Sequence, residues 1–529
     1  MHARIRFPGA RAPRAVLTAA LLALAAVAVA AAAAAGPAAG DIPGHPDELK
    51  FPPLRFEPPK AADYRVTLKN GIVAYLVPDR GLPLVNVNVL MRVGPDLDPA
   101  GKEGAAGLMV QQLTRGGTTA HTAVQVEDLL AALGAQLDSQ MGGGGRGMMG
   151  IGGVPIGPAE SRVSLNLLAK DLDAGLALMV ECLKTPAFQA DRLQLARDQQ
   201  LQSLKERNDN TAGIEQREWG FLMRGDDHWT NRYTTQASLQ GITHDDLAAL
   251  QRKYVGPRNF ILAVSGDFDR GAMVRKLEAA FGGWPVPGER PGPPAGPTAP
   301  AAAGWYVVDK DVNQARVSIG LRGIDRYDPD YYAMVVMNDI LGGGGFTSRL
   351  VNRIRSDEGL AYSVRAALEG GVYYPDPWRV TTQTKVRSTA FAIQVAFEEI
   401  RRMAAEPVSD EELATAKAGF TGTFPTQFET AGSIAGALAA EELTGRYQRN
   451  PRYFQEYCDH INAVTVADVQ RAAQRLLDPA KMTVLLVGKA DDIMLGDPKH
   501  EDAQVVKFAG GEPKRLPLRD PLTMKPLAP

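Results

Sequence analysis

"ITHDDLAALQRKYVGPRNFILAVSGD" occupies residues 242–267, and "VTVADVQRAAQRLLDPAKMTVLLVGK" occupies residues 464–489. The two stretches lie over one another without a gap. Thr243 meets Thr465, Asp246 meets Asp468, Pro257 meets Pro479 and Gly266 meets Gly488. In each, a Thr followed three residues on by an acid is the spacing of a helix capping box. A run with helical apolar spacing comes next, then a Pro-marked turn, then a short apolar run that reads as a buried strand. The same helix, turn and strand therefore occur twice, and the chain reads as two duplicated α/β domains.

Around each copy the pattern extends. "YRVTLKNGIVAYLVPD" (64–79) alternates on both sides of Asn70-Gly71, the strongest two-residue hairpin signal. "LVNVNVLMRVG" (84–94) and "SRVSLNLLA" (161–169) read as strands. Helical periodicity marks residues 104–113 and 123–135, and again "DAGLALMVECLKT" and "DRLQLARDQQLQSLKERNDN". "VPGERPGPPAGPTAPAAA" (286–303) has too many prolines and too few large apolar residues to join a core, so it reads as a linker between halves. The glycine- and methionine-rich "MGGGGRGMMGIGGVPIGP" (141–158) interrupts a hairpin. It reads as a surface insertion. A sharper reading makes it a flap whose Met141, Met148 and Met149 touch a substrate or partner.

The domain assignment follows: signal peptide 1–38, tether 39–61, N-terminal domain 62–285, Pro-rich linker 286–304, C-terminal domain 305–491 and a peripheral tail 492–529. Arg4, Arg6, Arg11 and Arg14 precede an apolar run from Ala15 to Ala35 that ends among small residues. That order is a secretory signal, with an uncleaved N-terminal anchor as the alternative. An exported protein, periplasmic or extracellular, is expected. The formal net charge of -2 over 529 residues, with no long basic block, argues against nucleic acid as a partner. Two cysteines, Cys182 and Cys458, form no disulfide framework and read as buried thiols.

"LGGGGFTSRLVNRIRSDEGLAY" (341–362) is the candidate site. A phosphate loop needs Gly-Lys-Ser/Thr at its end, and Gly345 is followed by Phe346-Thr347-Ser348 instead. Nucleotide binding is thus disfavoured. Thr347 or Ser348 can cap a helix, with Leu350 and Ile354 on its inner face, Gly359 at its end and "LAYSVRAALEG" resuming as a strand. On this reading Arg355 and Tyr362 converge, offering a guanidinium fork and a phenol to a carbonyl oxygen. The plainer alternative pairs Arg355 with a surface carboxylate and packs Tyr362 in the core.

The segment resembles the second domain of the pitrilysin/insulinase-type zinc peptidases, the inverzincins. In that family an Arg followed seven residues later by a Tyr closes the active site; Arg355 and Tyr362 have that spacing, with "EGLAY" between them. The preceding "LGGGGFTSRL" is similar to the family's glycine-rich loop. By resemblance Gly342, Gly343, Gly344, Gly345 and Phe346 contact substrate, and the fold is a clamshell of two homologous domains. Each domain is then a mixed sheet with helices on one face.

The resemblance implies an H-x-x-E-H zinc motif on the helix of residues 104–119. The positions are Gly107, Val110 and Gln111 in one register and Leu108, Gln111 and Gln112 in the next; the distant third ligand falls near Gln202 or Ser203. None of these side chains binds zinc as thiolate, imidazole or carboxylate would. The seven histidines, His2, His45, His121, His228, His244, His460 and His500, offer no pair at helical spacing. No metal or cofactor is therefore assigned to this chain. The resemblance then implies a heterodimer: an H-x-x-E-H-bearing homologous subunit supplies zinc, and this chain, inactive alone, holds the peptide and polarises its scissile carbonyl. The alternative is a metal-free scaffold subunit with no peptidase role.

Overall fold

The computed structural model describes residues 56–142, 156–284, 288–368 and 370–528. The signal segment, most of the tether, residues 143–155 of the insertion and the first residues of the linker lie outside them. Glu57–Pro529 cluster as one compact unit. Within it, twelve strands form two open six-stranded sheets. In the first half these are β1 (Arg65–Thr67), β2 (Val73–Pro78), β3 (Leu84–Met91), β4 (Gln136–Met141), β5 (Ser161–Leu168) and β6 (Phe260–Gly266). In the second half they are β7 (Gly304–Asp309), β8 (Gln314–Arg322), β9 (Val364–Leu368), β10 (Pro377–Lys385), β11 (Thr483–Gly488) and β12 (Lys514–Leu516).

The duplication extends to topology. The first sheet runs β1-β2-β6-β3-β5-β4 and the second β12-β7-β11-β8-β10-β9. In the first sheet β6 pairs parallel to β2 and antiparallel to β3; in the second β11 pairs parallel to β7 and antiparallel to β8. The two aligned stretches supply these matching strands, β6 and β11. Their helices, His244–Tyr254 and Val466–Leu476, begin at full capping boxes on Thr243 and Thr465. Only the outer strand differs. In the first sheet β1 arrives by the Asn70-Gly71 hairpin, where Gly71 takes φ +89°; in the second β12 arrives from the C-terminus. The mixed α/β class expected from the sequence is what the two sheets show.

Each sheet packs its own helices on one face. The odd-numbered side chains of β3, Val85, Val87, Val89 and Met91, enter the first core with Leu108, Met109 and Leu113 of the helix Ala105–Arg115. Val317, Ile319, Val484 and Leu486 enter the second core with Met334, Ile393 and Val469. The other faces are covered by exchange. The helix Thr211–Arg224, from the first half, sets Ile214, Trp219, Leu222 and Met223 against Val308, Leu485 and Val487 of the second sheet. The helix Ala431–Leu443, from the second half, lies along β2, β6 and β3. A buried carboxylate fixes each lent helix. Glu442 accepts from Tyr75 Oη at 2.8 Å and Arg65 Nε at 3.1 Å. Glu215 accepts from Ser318 Oγ and lies 2.9 Å from Arg379 Nη2.

Three local expectations are corrected. The strand expected from Leu360 starts only at Val364, because pairing with β10 begins there; Ala361 meanwhile packs into the second core. Ser348 occupies the N-cap position but does not cap; its hydroxyl donates to Gly345 O at 2.7 Å. The tail is not peripheral: Ala503 and Val505 are buried in the second core and β12 extends that sheet. Its apolar residues are too sparse for a periodic signal. Cys182 is buried, Cys458 is half-buried, and both are free thiols.

Candidate functional site

The helix Tyr331–Asn338 does not stop at the glycines. It widens into a π-helical turn, Asp339–Gly343, followed by a tight turn at Gly345–Thr347. The next helix begins as Arg349–Val351 and widens again over Asn352–Asp357. Two π segments flanking one loop are unusual, and such widenings occur frequently at functional sites. Gly359, at φ +60°, ends the second segment.

Close approach explains the first glycines. A Cβ on Gly342 would stand 2.8 Å from Ala366 Cβ and 2.9 Å from Ala366 N, so here the nearby backbone is the chain's own strand β9. Asn338 fastens that contact, donating to Ala366 O at 3.2 Å and accepting from the buried Trp378 Nε1 at 2.9 Å. Gly345 differs: it takes φ +63° with open space around it, and it lifts Phe346 out of the fold.

The three arginines of the motif divide sharply. Arg349 is buried and grips Glu412 through two bonds of 2.6 and 2.8 Å. Those bonds, with the Ser409 cap, hold the Glu412 carboxyl down at about 2. Arg353 is ringed by acids, with Glu358 at 3.3 Å and Glu399 at 3.6 Å. Arg355 has no carboxylate and no hydrogen-bond partner among the described residues. Instead its guanidinium carbon lies 4.5 Å from the Phe346 ring centroid and 4.5 Å from that of Tyr362. Phe346 is 67% exposed and Tyr362 83% exposed. Arg355 and Tyr362 thus stand together at the surface, and Phe346 joins them. The contact of Phe346 with Arg355 carries no sequence signal, because nine residues and a change of helix type separate them.

Two further residues of this corner were not singled out by the sequence. Asp339, half-buried, makes no side-chain hydrogen bond, and burial alone raises its carboxyl to about 6. Its one sequence signal is an acid directly ahead of a glycine run. Arg365 is exposed on β9, the outermost strand of its sheet, which pairs with β10 alone. Like Arg355 it has no ion-pair partner among the described residues.

The helix matching the zinc motif, Ala105–Arg115, is anchored at its start by Asp98, which accepts from Gly104 N at 2.8 Å and Ala106 N at 2.6 Å. Leu108 and Val110 are in the core; Gly107 and Gln111 are half-buried. A Cβ on Gly107 would stand 3.2 Å from Met141 Cε. Gln112 is buried, and the Oε1 atoms of Gln111 and Gln112 have no hydrogen-bond partner among the described residues. Gln202 and Ser203 do not join them. They face solvent on the helix Ala190–Lys205, where Gln202 donates to Glu206 at 2.7 Å. Among the described residues no three His, Cys, Asp or Glu side chains cluster in a way that could hold a metal ion.

Residues 241–420 match the model of the Peptidase M16 inactive domain, a span containing the glycine loop, Arg355 and Tyr362. The chain is 26% identical over 424 residues to an uncharacterized zinc protease of Mycobacterium leprae, covering 78% of this chain and 89% of that one. Its fold is similar to the peptidase M16 inactive domain from Pseudomonas fluorescens, with a TM-score of 0.67 and 22% identity over 80% of this chain and 97% of the other. It is also similar to the periplasmic protease PqqL from Escherichia coli, with a TM-score of 0.63 and 14% identity; there 80% of this chain covers 45% of the longer protein.

Proposed function

Because the chain carries a Peptidase M16 inactive domain, bearing out the family resemblance of its sequence, we propose that it is the non-catalytic, substrate-holding subunit of an exported zinc metallopeptidase. A homologous partner bearing H-x-x-E-H supplies the zinc. This chain supplies Arg355 and Tyr362, whose N–H and O–H groups donate to the scissile carbonyl as negative charge develops on its oxygen. Donors placed in this way contribute roughly 3–4 kcal/mol to a transition state. The peptide lies extended, added as a strand to a sheet edge, with Phe346 and the glycine loop beside it.

The observation that carries the reading is the contrast among the three arginines. Arg349 and Arg353 are committed to carboxylates, while Arg355 is held at the surface by ring faces with its donors unspent. If the chain were only a scaffold, an 83% exposed tyrosine would have little packing reason to stand there.

The test is co-expression with zinc-bearing relatives and a peptide-cleavage assay. Each chain alone should be inactive and the mixture active. Arg355→Ala or Tyr362→Phe should lower kcat of the mixture by roughly two to three orders of magnitude. Chelator-sensitive cleavage by this chain alone would overturn the reading, as would full activity of the Arg355→Ala mixture.

A further inference from the structure

We infer that the Phe346–Arg355–Tyr362 cluster is a carboxylate-binding site, so that the peptides this chain takes are those presenting a free C-terminal carboxylate or an acidic side chain. The inference rests on the substrate-holding reading and narrows it. The Arg355 guanidinium carbon lies 4.5 Å from the ring centroid of Phe346 and 4.5 Å from that of Tyr362, so ring faces rather than hydrogen-bond acceptors hold the cation. Its N–H donors, which lie in one plane, have no partner among the described residues. A planar fork matches a carboxylate through two parallel hydrogen bonds, whereas a neutral carbonyl oxygen uses only part of it. Stacking also restrains the side chain before any ligand arrives, which lowers the ordering cost of binding.

Charge points the same way. The acids nearest in sequence, Asp357 and Glu358, are engaged by Arg353 at 3.8 and 3.3 Å. Arg365, three residues beyond Tyr362 on β9, is a second exposed cation with no ion-pair partner among the described residues. A carboxylate arriving at this corner therefore meets positive charge. Phe346 is a positioning residue in this account: it acts by holding the guanidinium plane, and the open space around Gly345 lets it do so.

The experiment uses the full chain without a partner. Fluorescence polarisation at low salt compares three labelled alanine hexapeptides: a C-terminal acid, the C-terminal amide, and the amide with one internal Glu. One or both carboxylate peptides should bind roughly ten- to hundred-fold tighter than the plain amide, the range expected for a charge-assisted fork; the two arms identify which carboxylate is read. Arg355→Lys keeps the charge and loses the fork, and should bring the acid-to-amide ratio close to one. Phe346→Ala should lower that ratio and Phe346→Tyr restore it, with unchanged circular dichroism throughout. Equal binding of all three peptides, or a ratio unaltered in Arg355→Lys, overturns the inference. Cleavage by the partnered enzyme that still depends on Arg355 would in that event leave the substrate-holding role standing.

Discussion

At the scale of single residues, the corner around residues 339–365 holds groups whose cost to stability and value to function separate cleanly. Tyr362 is almost wholly exposed, so Tyr362→Phe should leave unfolding free energy within about 0.5 kcal/mol of the parent while abolishing its donor. Urea denaturation checks this, and a larger loss would mean that the phenol has a structural partner. Asp339 is the opposite case. Unfolded, its carboxyl titrates near 3.8; folded, burial raises it to about 6. Well below 3.8, at about pH 3 and under, it is almost wholly neutral in both states and costs almost nothing. As pH rises through 6 the native state must carry a half-buried, unpartnered charge, so the stability present at low pH is lost. Asp339→Asn should therefore unfold at nearly the same urea concentration as the parent at about pH 3 and be about 1–2 kcal/mol more stable at pH 8, after allowing for its residual solvent contact. An advantage of equal size at both pH values would show that the charge is not its source. That Arg355 and Tyr362 lie together was expected from the sequence, through its family resemblance. The contact of Phe346 with Arg355 and the half-buried acid Asp339 were not, since both depend on helix widening that no residue pattern announces.

At the scale of elements, legibility followed local chemistry. The hairpin at Asn70-Gly71 and both capped helices formed where turn and cap residues stood. The caps give a direct test. Thr243 and Thr465 each accept a backbone bond, from Asp246 N at 3.2 Å and from Asp468 N at 3.1 Å, and Asp468 is held down at about 2 chiefly by Thr465. Removing either hydroxyl should cost about 1 kcal/mol, and because the two sites share no partner the losses should add in Thr243→Ala/Thr465→Ala. Thermal or urea unfolding of the three variants reads this directly; a double variant no worse than either single one would mean that the helices are stabilised by packing alone. The linker was legible only in part. Its prolines do keep residues 288–303 free of regular structure, but Ala295 O accepts from Trp229 Nε1 at 3.1 Å and Ala302 N donates to Leu222 O at 2.8 Å. Backbone groups of an extended chain bond wherever a surface offers partners, and composition does not specify that surface.

At the scale of the whole molecule, the duplicated halves are interlocked rather than merely joined. Amphipathic spacing says that Thr211–Arg224 has a face to bury but not which sheet receives it, so the exchange lay beyond sequence reading. Its consequence is mechanical. Without the second half, the sheet face bearing Tyr75 and Ile261, both buried, loses the helix Ala431–Leu443; without the first, Leu485 and Val487 lose Ile214 and Trp219. Exposed apolar faces of this kind drive association. Residues 57–303 and 304–528 expressed separately should accordingly be poorly soluble or bind a hydrophobic dye, and expressed together should assemble one to one. The intact chain should unfold in a single transition by both fluorescence and circular dichroism. Glu442→Ala, which leaves the buried Tyr75 hydroxyl and the Arg65 guanidinium without their shared acceptor, should lower the midpoint of that one transition, at a cost of about 2–4 kcal/mol, rather than split it. Soluble halves that each unfold cooperatively would show that the lent helices are accessory, and a split transition in Glu442→Ala would show that the halves fold first and dock afterwards.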